Sequence, residues 1–356
     1  MKRAPNHGFV PKVSIRSVAS QARVSIATVS RTINHMQTVD AVLAARVWKA
    51  VDELNYFPNS QARALVSGKS KLLGLIISDI TNPFFPELIQ EFEKVAVEQG
   101  YEILIGSTNY EPKTMELCAR RMFERQVDGV AIMTFGIEQF LLDRFASDDV
   151  PVIFIDIPSA QPRSDILSVD YRAGIWEGVQ HLTALGHRKL AFISGPLQHR
   201  SASARKSAFL DCLRSAGMTP DGRWLIEGDH TLEGGRDAMQ KILALSNRPT
   251  AIMCSNDMTA IGVQHALFDA SLRVPEDFSL IGFDNIHLAE YTIPPLTTVQ
   301  MSCKELAQAA MTSLLSRLQP REARVETEAR ITTRLVVRRT TGPPKDGPTA
   351  RGAVTS

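Results

Sequence analysis

Two sets of side chains in this sequence have the types and spacing that recognition needs. The first lies between Ser25 and Asn34. Val29 and Ile33, four residues apart, turn to one side of a short helix and leave Ile26, Ala27, Ser30 and Arg31 outside. Such a helix, joined by a tight turn to one before it, is the half of a helix-turn-helix that fits the major groove of DNA. The second set is Asp156, Asn256 and Asp284, each directly after a short apolar run of buried-strand type. In doubly wound sheets small ligands bind at the carboxyl ends of such strands. Taken singly, Asp156 or the neighbouring Asp257 can equally be a helix cap.

The elements that must position the first set are legible around it. Ile15, Val18, Ala19 and Ala22 recur at the spacing of one helix face, with Ser14 ahead of them as a cap. Ser25 caps the second helix, and Val24 sits beneath the turn. An ordinary helical hairpin would show the same spacing, so charge has to discriminate. Residues 1–70 hold ten Lys or Arg against three Asp or Glu, a net of +7, whereas the whole chain is +2 and the remainder is therefore −5. A basic head on an acidic body points to a polyanion partner for the head alone. Asp40 then caps a third helix with Leu43, Val47, Val51 and Leu54 inward and Trp48 beside the stripe. The expected headpiece is residues 13–58, behind a basic arm at 1–12. Residues 59–69 contain at most a two-turn helix, too short to be stable alone. They are either a plain linker or a hinge helix that orders on DNA, with Leu65 as an apolar wedge for a minor-groove step.

From Leu72 the pattern changes to strand–helix alternation, in two successive series. Strands are expected at 72–78, 102–106, 129–133 and 151–155, then at 189–194, 224–227, 250–254 and 279–282. Helices fall between them, and a last helix near 302–318 and a strand Ile331–Val337 return the chain. Two such series predict two doubly wound parallel-sheet lobes in a core of 70–341. The first lobe is about 70–169 and 300–328, the second about 170–299 and 329–341. The Pro- and Gly-rich tail 342–356 is expected to be disordered. Cys118, Cys212, Cys254 and Cys303 are far apart and fit reduced core positions, with no zinc spacing. No run approaches a membrane span and no signal-peptide core precedes the first helix, so a cytoplasmic protein with no membrane contact is expected. No GxGxxG, P-loop, GxSxG or HExxH motif is present, and no catalytic residue, cofactor or metal is expected.

Several ordered motifs carry a family resemblance. They are Val24-Ser25-Ile26-Ala27-Thr28-Val29-Ser30-Arg31, Leu54-Asn55-Tyr56-Phe57-Pro58-Asn59, Asn82-Pro83-Phe84-Phe85, Leu185-Gly186-His187-Arg188, Asn256-Asp257, Ile281-Gly282-Phe283-Asp284 and Pro294-Pro295-Leu296-Thr297-Thr298-Val299. From about Val13 to Thr340 the chain resembles the lactose/galactose-repressor family of bacterial transcription regulators. The resemblance implies a homodimer with a periplasmic-binding-protein-like core, an effector between its lobes, and a headpiece on a pseudo-palindromic operator. It places Ile26, Ala27 and Arg31 at base edges. There the first two offer apolar contact, as to a thymine methyl, and Arg31 can be bidentate to guanine. It places Ser25, Thr28, Ser30, Asn34 and Asn59 in the DNA contact set, and Leu65 at the intercalating hinge leucine. One residue departs from the family. Arg23 stands where glycine is usual in the turn, and costs on the order of 1 kcal/mol if φ stays positive.

For the effector, the resemblance adds Phe84, Phe85, Ser201, Arg205 and His230 to Asp156, Asn256 and Asp284. His230 replaces a usual aromatic ring. Asp156, Arg205, Asn256 and Asp284 together can pair several hydroxyls, which favours a sugar or sugar acid over a nucleobase. Whether the effector releases DNA or promotes binding stays open. The alternative is a regulator of corepressor type that responds to a nucleobase or another metabolite, and a transport-type sugar-binding protein is a lesser rival, opposed by the basic headpiece.

Overall fold

The computed structural model describes residues 13–34, 36, 38–57, 68–134, 137–156, 165–319 and 329–345. They form two compact units that divide after Lys71. The arm 1–12, Asn59 and Leu65 lie outside the described residues.

The first unit is three helices, each started by a residue that supplies an acceptor to free N–H groups. Before α1 (Ile15–Ala22), Ser14 accepts from the Ser17 amide at 3.4 Å and its own amide donates to the Ser17 hydroxyl at 3.3 Å. Before α2 (Ile26–Ile33), the Ser25 hydroxyl accepts from the Thr28 amide at 3.0 Å. Before α3 (Ala41–Glu53), the Asp40 carboxylate accepts from Val42 and Leu43 at 2.9 and 3.3 Å. Val18, Ala19, Ala22, Val29, Ile33, Val47, Ala50 and Val51 close a small core between the three. The chain passes from α1 to α2 through Arg23 at φ 53°, ψ 49°, so the left-handed turn survives without its glycine.

The second unit is two six-stranded sheets. The first has the order β11-β5-β4-β3-β1-β2, from β1 (Leu72–Ile77), β2 (Glu102–Ser107), β3 (Gly129–Met133), β4 (Val152–Ile155), β5 (Asp165–Asp170) and β11 (Arg330–Thr332). The second has the order β12-β10-β9-β8-β6-β7, from β6 (Leu190–Ser194), β7 (Leu225–Glu227), β8 (Ala251–Cys254), β9 (Ser279–Asp284), β10 (Thr297–Gln300) and β12 (Arg334–Val336). All pairings are parallel except β10 with β12. The helices that follow the strands are α4 (Phe84–Glu98), α5 (Pro112–Glu124), α6 (Gln139–Ser147), α7 (Tyr171–Ala184), α8 (Arg200–Ser215), α9 (Leu232–Leu243), α10 (Asp257–Asp269) and α11 (Cys303–Arg317). In each sheet the strand order reverses beside its first strand, which opens a crevice at the carboxyl ends.

Three expectations need correction. The run Ile331–Val337 is two strands, because Thr333 leaves both ladders: its hydroxyl donates to the Asp170 carbonyl at 2.6 Å and accepts from the Gly174 amide at 3.0 Å. Arg330–Thr332 therefore belongs to the first sheet, not to the second lobe as the boundary at 329 implies. The tail does not begin at 342. The Gly342 carbonyl bonds to the His187 imidazole at 2.8 Å and accepts from the Ser279 hydroxyl at 3.0 Å, and Lys345 pairs with Asp277 at 2.7 Å. Pro and Gly stop a helix, but they do not stop a chain from docking through its carbonyls.

α9 and α10 pack so closely that a Cβ at Gly262 would collide with the backbone carbonyl of Leu232. Backbone cannot give way as a side-chain tip can. Gly262→Val is expected to destabilise the core by roughly 1–3 kcal/mol, the usual cost of overpacking. A denaturant midpoint shift at unchanged slope checks it.

Candidate functional site

A cleft opens where the carboxyl ends of both sheets meet, and all eight residues singled out for an effector line it. From the first sheet come Phe84 and Phe85, at the start of α4, and Asp156, after β4. From the second come Ser201 and Arg205 on α8, His230 after β7, Asn256 after β8, and Asp284 at the end of β9. Asp156, His230 and Asp284 carry φ of 61°, 69° and 109°. Asp and His are among the few types that tolerate positive φ, and such conformations cluster at ligand clamps.

Arg205 is buried at the centre. Its Nη1 donates to the Ser255 carbonyl at 2.5 Å and lies 3.4 Å from Asp284 Oδ1. Its guanidinium carbon sits 4.0 Å from the centre of the Phe283 ring and 4.8 Å from that of Tyr171. Among the described residues its Nε–H has no acceptor. Tyr171 in turn donates its hydroxyl to Asp156.

Burial dominates the protonation of this group. It pushes the Asp284 carboxyl up to about 7 and that of Asp156 up to about 6, with Arg205 pulling both the other way. Burial holds the His230 imidazole down to about 3, so it is neutral, with Nε2 2.7 Å from the Ser255 hydroxyl. Its ring occupies space that any side chain at Gly195 would fill.

Folded Asp284 keeps a proton that the unfolded chain has released above pH 4. Its contribution to stability is thus complete below about pH 4 and is lost as pH rises through 7, while His230 works in the opposite sense, its contribution falling as pH drops below 6.5. Asp284→Asn should remove the first effect alone. Melts from pH 4 to 8 are expected to show stability rising more steeply with pH in the variant than in the parent; parallel curves would contradict this.

Asn256 serves two purposes. Its Oδ1 caps α10 through the Thr259 amide at 2.9 Å, and its Nδ2 donates to the His230 carbonyl at 2.9 Å. Asp257 does not line the cleft. It accepts from the Thr298 hydroxyl at 2.5 Å and the Ile286 amide at 2.9 Å, and so braces the loop after Asp284. The cleft also holds Asn82, from the motif Asn82-Pro83-Phe84-Phe85, and residues the sequence leaves unmarked: Ser78, Tyr110, Met133, Ile155, Tyr171 and Met301. Ser78, Met133, Ile155 and Met301 end or directly follow strands, the signal that identifies Asp156. Tyr110 stacks on His199 with ring centres 4.4 Å apart and planes 12° apart. Its phenol is pushed up to about 12 by burial.

In the headpiece Ser25, Ile26, Ala27, Arg31 and Asn34 are exposed, and Thr28 and Ser30 are half-buried. Val29, Thr32 and Ile33 form the inner face of the same helix.

Residues 14–59 match the sequence profile described as bacterial regulatory proteins, lacI family, and residues 179–341 match that of a periplasmic binding protein-like domain. The HTH-type transcriptional repressor PurR of Photobacterium profundum is 34% identical over 306 residues, 86% of this chain and 92% of that protein. The Lac repressor dimer bound to operator and the anti-inducer ONPF superposes with a TM-score of 0.80 at 28% identity, covering 93% of this chain and 99% of that one. A LacI family transcriptional regulator from Enterococcus faecium with bound ribose superposes with a TM-score of 0.69 at 28% identity, covering 76% and 99%.

Proposed function

The chain belongs to the lacI family of bacterial regulatory proteins, and from that premise we propose that a neutral sugar in the cleft controls its hold on a pseudo-palindromic operator. It is a DNA-binding transcriptional repressor with a small-molecule effector, and its relatives are repressors rather than enzymes.

One observation carries that class: two carboxylates, Asp156 and Asp284, flank a single buried guanidinium, Arg205. Carboxylates accept from hydroxyl donors, and Arg205 donates to ring or hydroxyl oxygens. An anionic ligand would meet more acceptors than cations, so a neutral polyol fits better than a sugar acid. Phe84, Phe85, Met133, Ile155 and Met301 supply the apolar lining against which sugar C–H faces pack. The ribose bound by the Enterococcus faecium regulator is consistent with this choice. A nucleobase is the second reading, favoured by the rings of Phe84, Phe85 and Tyr110, against which a planar ligand would stack.

On the DNA side, Ile26 and Ala27 make apolar base contacts and Arg31 reads guanine. Ser25, Thr28, Ser30, Asn34 and Asn59 approach the backbone or groove edge, and Leu65 wedges a minor-groove step. The working form is a homodimer, matching the two halves of the operator.

Calorimetry with a panel of neutral monosaccharides, sugar acids and purine bases tests the effector class. Saturable heat from a neutral sugar alone supports it. Binding confined to the bases or to the acids replaces it.

A further inference from the structure

We propose that Arg23 is a phosphate contact of the headpiece, an addition of this chain to the DNA-binding surface its family provides. The proposal rests on the headpiece's place on DNA argued above. Arg23 holds the left-handed turn at φ 53°, where the family usually has glycine, and it is exposed.

Among the described residues nothing accounts for the side chain. A cation after a helix often serves the free carbonyls of its last turn. That role is filled by Arg46, whose Nη2 reaches across from α3 to the carbonyls of Ala22 and Arg23 at 2.5 and 3.2 Å. Among the described residues the Arg23 guanidinium has no hydrogen bond or ion pair. Two of the three acids in residues 1–70 are engaged elsewhere: Asp40 caps α3, and Glu53 meets Gln21 and Lys49. Arg23 thus adds an unneutralised positive charge to a net positive unit, two residues before the cap of the helix that presents Ile26, Ala27 and Arg31. An exposed cation at the start of a helix that enters the major groove is the kind of side chain that backbone phosphates meet, since most protein–DNA hydrogen bonds go to phosphate and sugar.

The test uses the full chain and a random-sequence duplex, because a phosphate contact is independent of sequence. Anisotropy titrations over a range of salt concentrations are run on the parent, Arg23→Gly and Arg23→Lys. Removing one phosphate contact lowers the slope of log affinity against log salt by about 0.9 per engaged headpiece. Arg23→Gly is expected to show that loss, with roughly three- to tenfold weaker binding at low salt. Its melting temperature should be unchanged or higher, since glycine relieves the turn. Arg23→Lys, which keeps the charge, should keep the slope. An Arg23→Gly slope equal to the parent's overturns the contact. A parent that binds no duplex at any salt overturns the headpiece premise and this contact with it.

Discussion

Asp284→Ala is expected to abolish the effector response while leaving effector-free DNA affinity within about threefold, the margin of an unrelated surface change. Asp284 belongs to the core cleft and the DNA-contact set to the other compact unit, so DNA affinity without effector has no direct reason to change. The cleft does. Hydrogen bonds to a charged group contribute roughly 1.5–3 kcal/mol each, so one lost bond weakens a polyol about ten- to 150-fold. The substitution also leaves Arg205 without its carboxylate neighbour at 3.4 Å, and unpairing a buried charge destabilises. Asp284→Asn keeps the volume and is expected to lose less, about tenfold in ligand affinity. Calorimetry for ligand and a melt for folding separate the two effects. Wild-type ligand affinity in a folded Asp284→Ala protein would remove Asp284 from the site.

Arg31→Ala is the largest change expected on the DNA side. Arg31 is exposed in the last turn of α2, clear of the inner face made by Val29, Thr32 and Ile33, so its loss should leave the fold intact. A bidentate contact to guanine is worth roughly 1–3 kcal/mol of discrimination, about five- to 150-fold on the operator. Random DNA should weaken much less, and preference at one base pair of each half-site should relax. Equal weakening on both DNAs would make Arg31 a phosphate contact instead, the role assigned to Arg23.

Much of this is legible in the sequence because the residues involved obey local rules. Ser14, Ser25 and Asp40 cap the helices they precede, and Val29 and Ile33 define the inner side of α2 without any tertiary information. Asp156 and Asp284 stand out by their place after apolar strands, and Arg205 by family resemblance. What escapes depends on neighbours distant in sequence. β10 is hidden because Thr297 and Thr298 look polar. Their hydroxyls are buried with partners far along the chain: that of Thr297 accepts from the Arg338 amide and that of Thr298 donates to Asp257, each 41 residues away. Tyr171 directly follows β5, but Asp165, Ser168 and Asp170 keep that strand from reading as an apolar run, so its bond to Asp156 has no local mark. Tyr110 follows a turn in which Asn109 and Tyr110 both have positive φ, and its stacking partner His199 belongs to the other half of the core. By composition Gly342–Lys345 reads as disordered tail. His187, Ser279 and Asp277 order it.

Headpiece and cleft are linked only if the effector prefers one arrangement of the core, and that preference must be reciprocal with DNA. The most direct measurement is operator affinity with and without a saturating neutral sugar, on an operator selected from a random duplex library, for the parent and Asp284→Ala. The account predicts a pseudo-palindromic operator and a change of about tenfold or more in the parent, a coupling of roughly 1–3 kcal/mol, with none in the variant. An equal response in both proteins, or none in the parent to any neutral sugar, would contradict it.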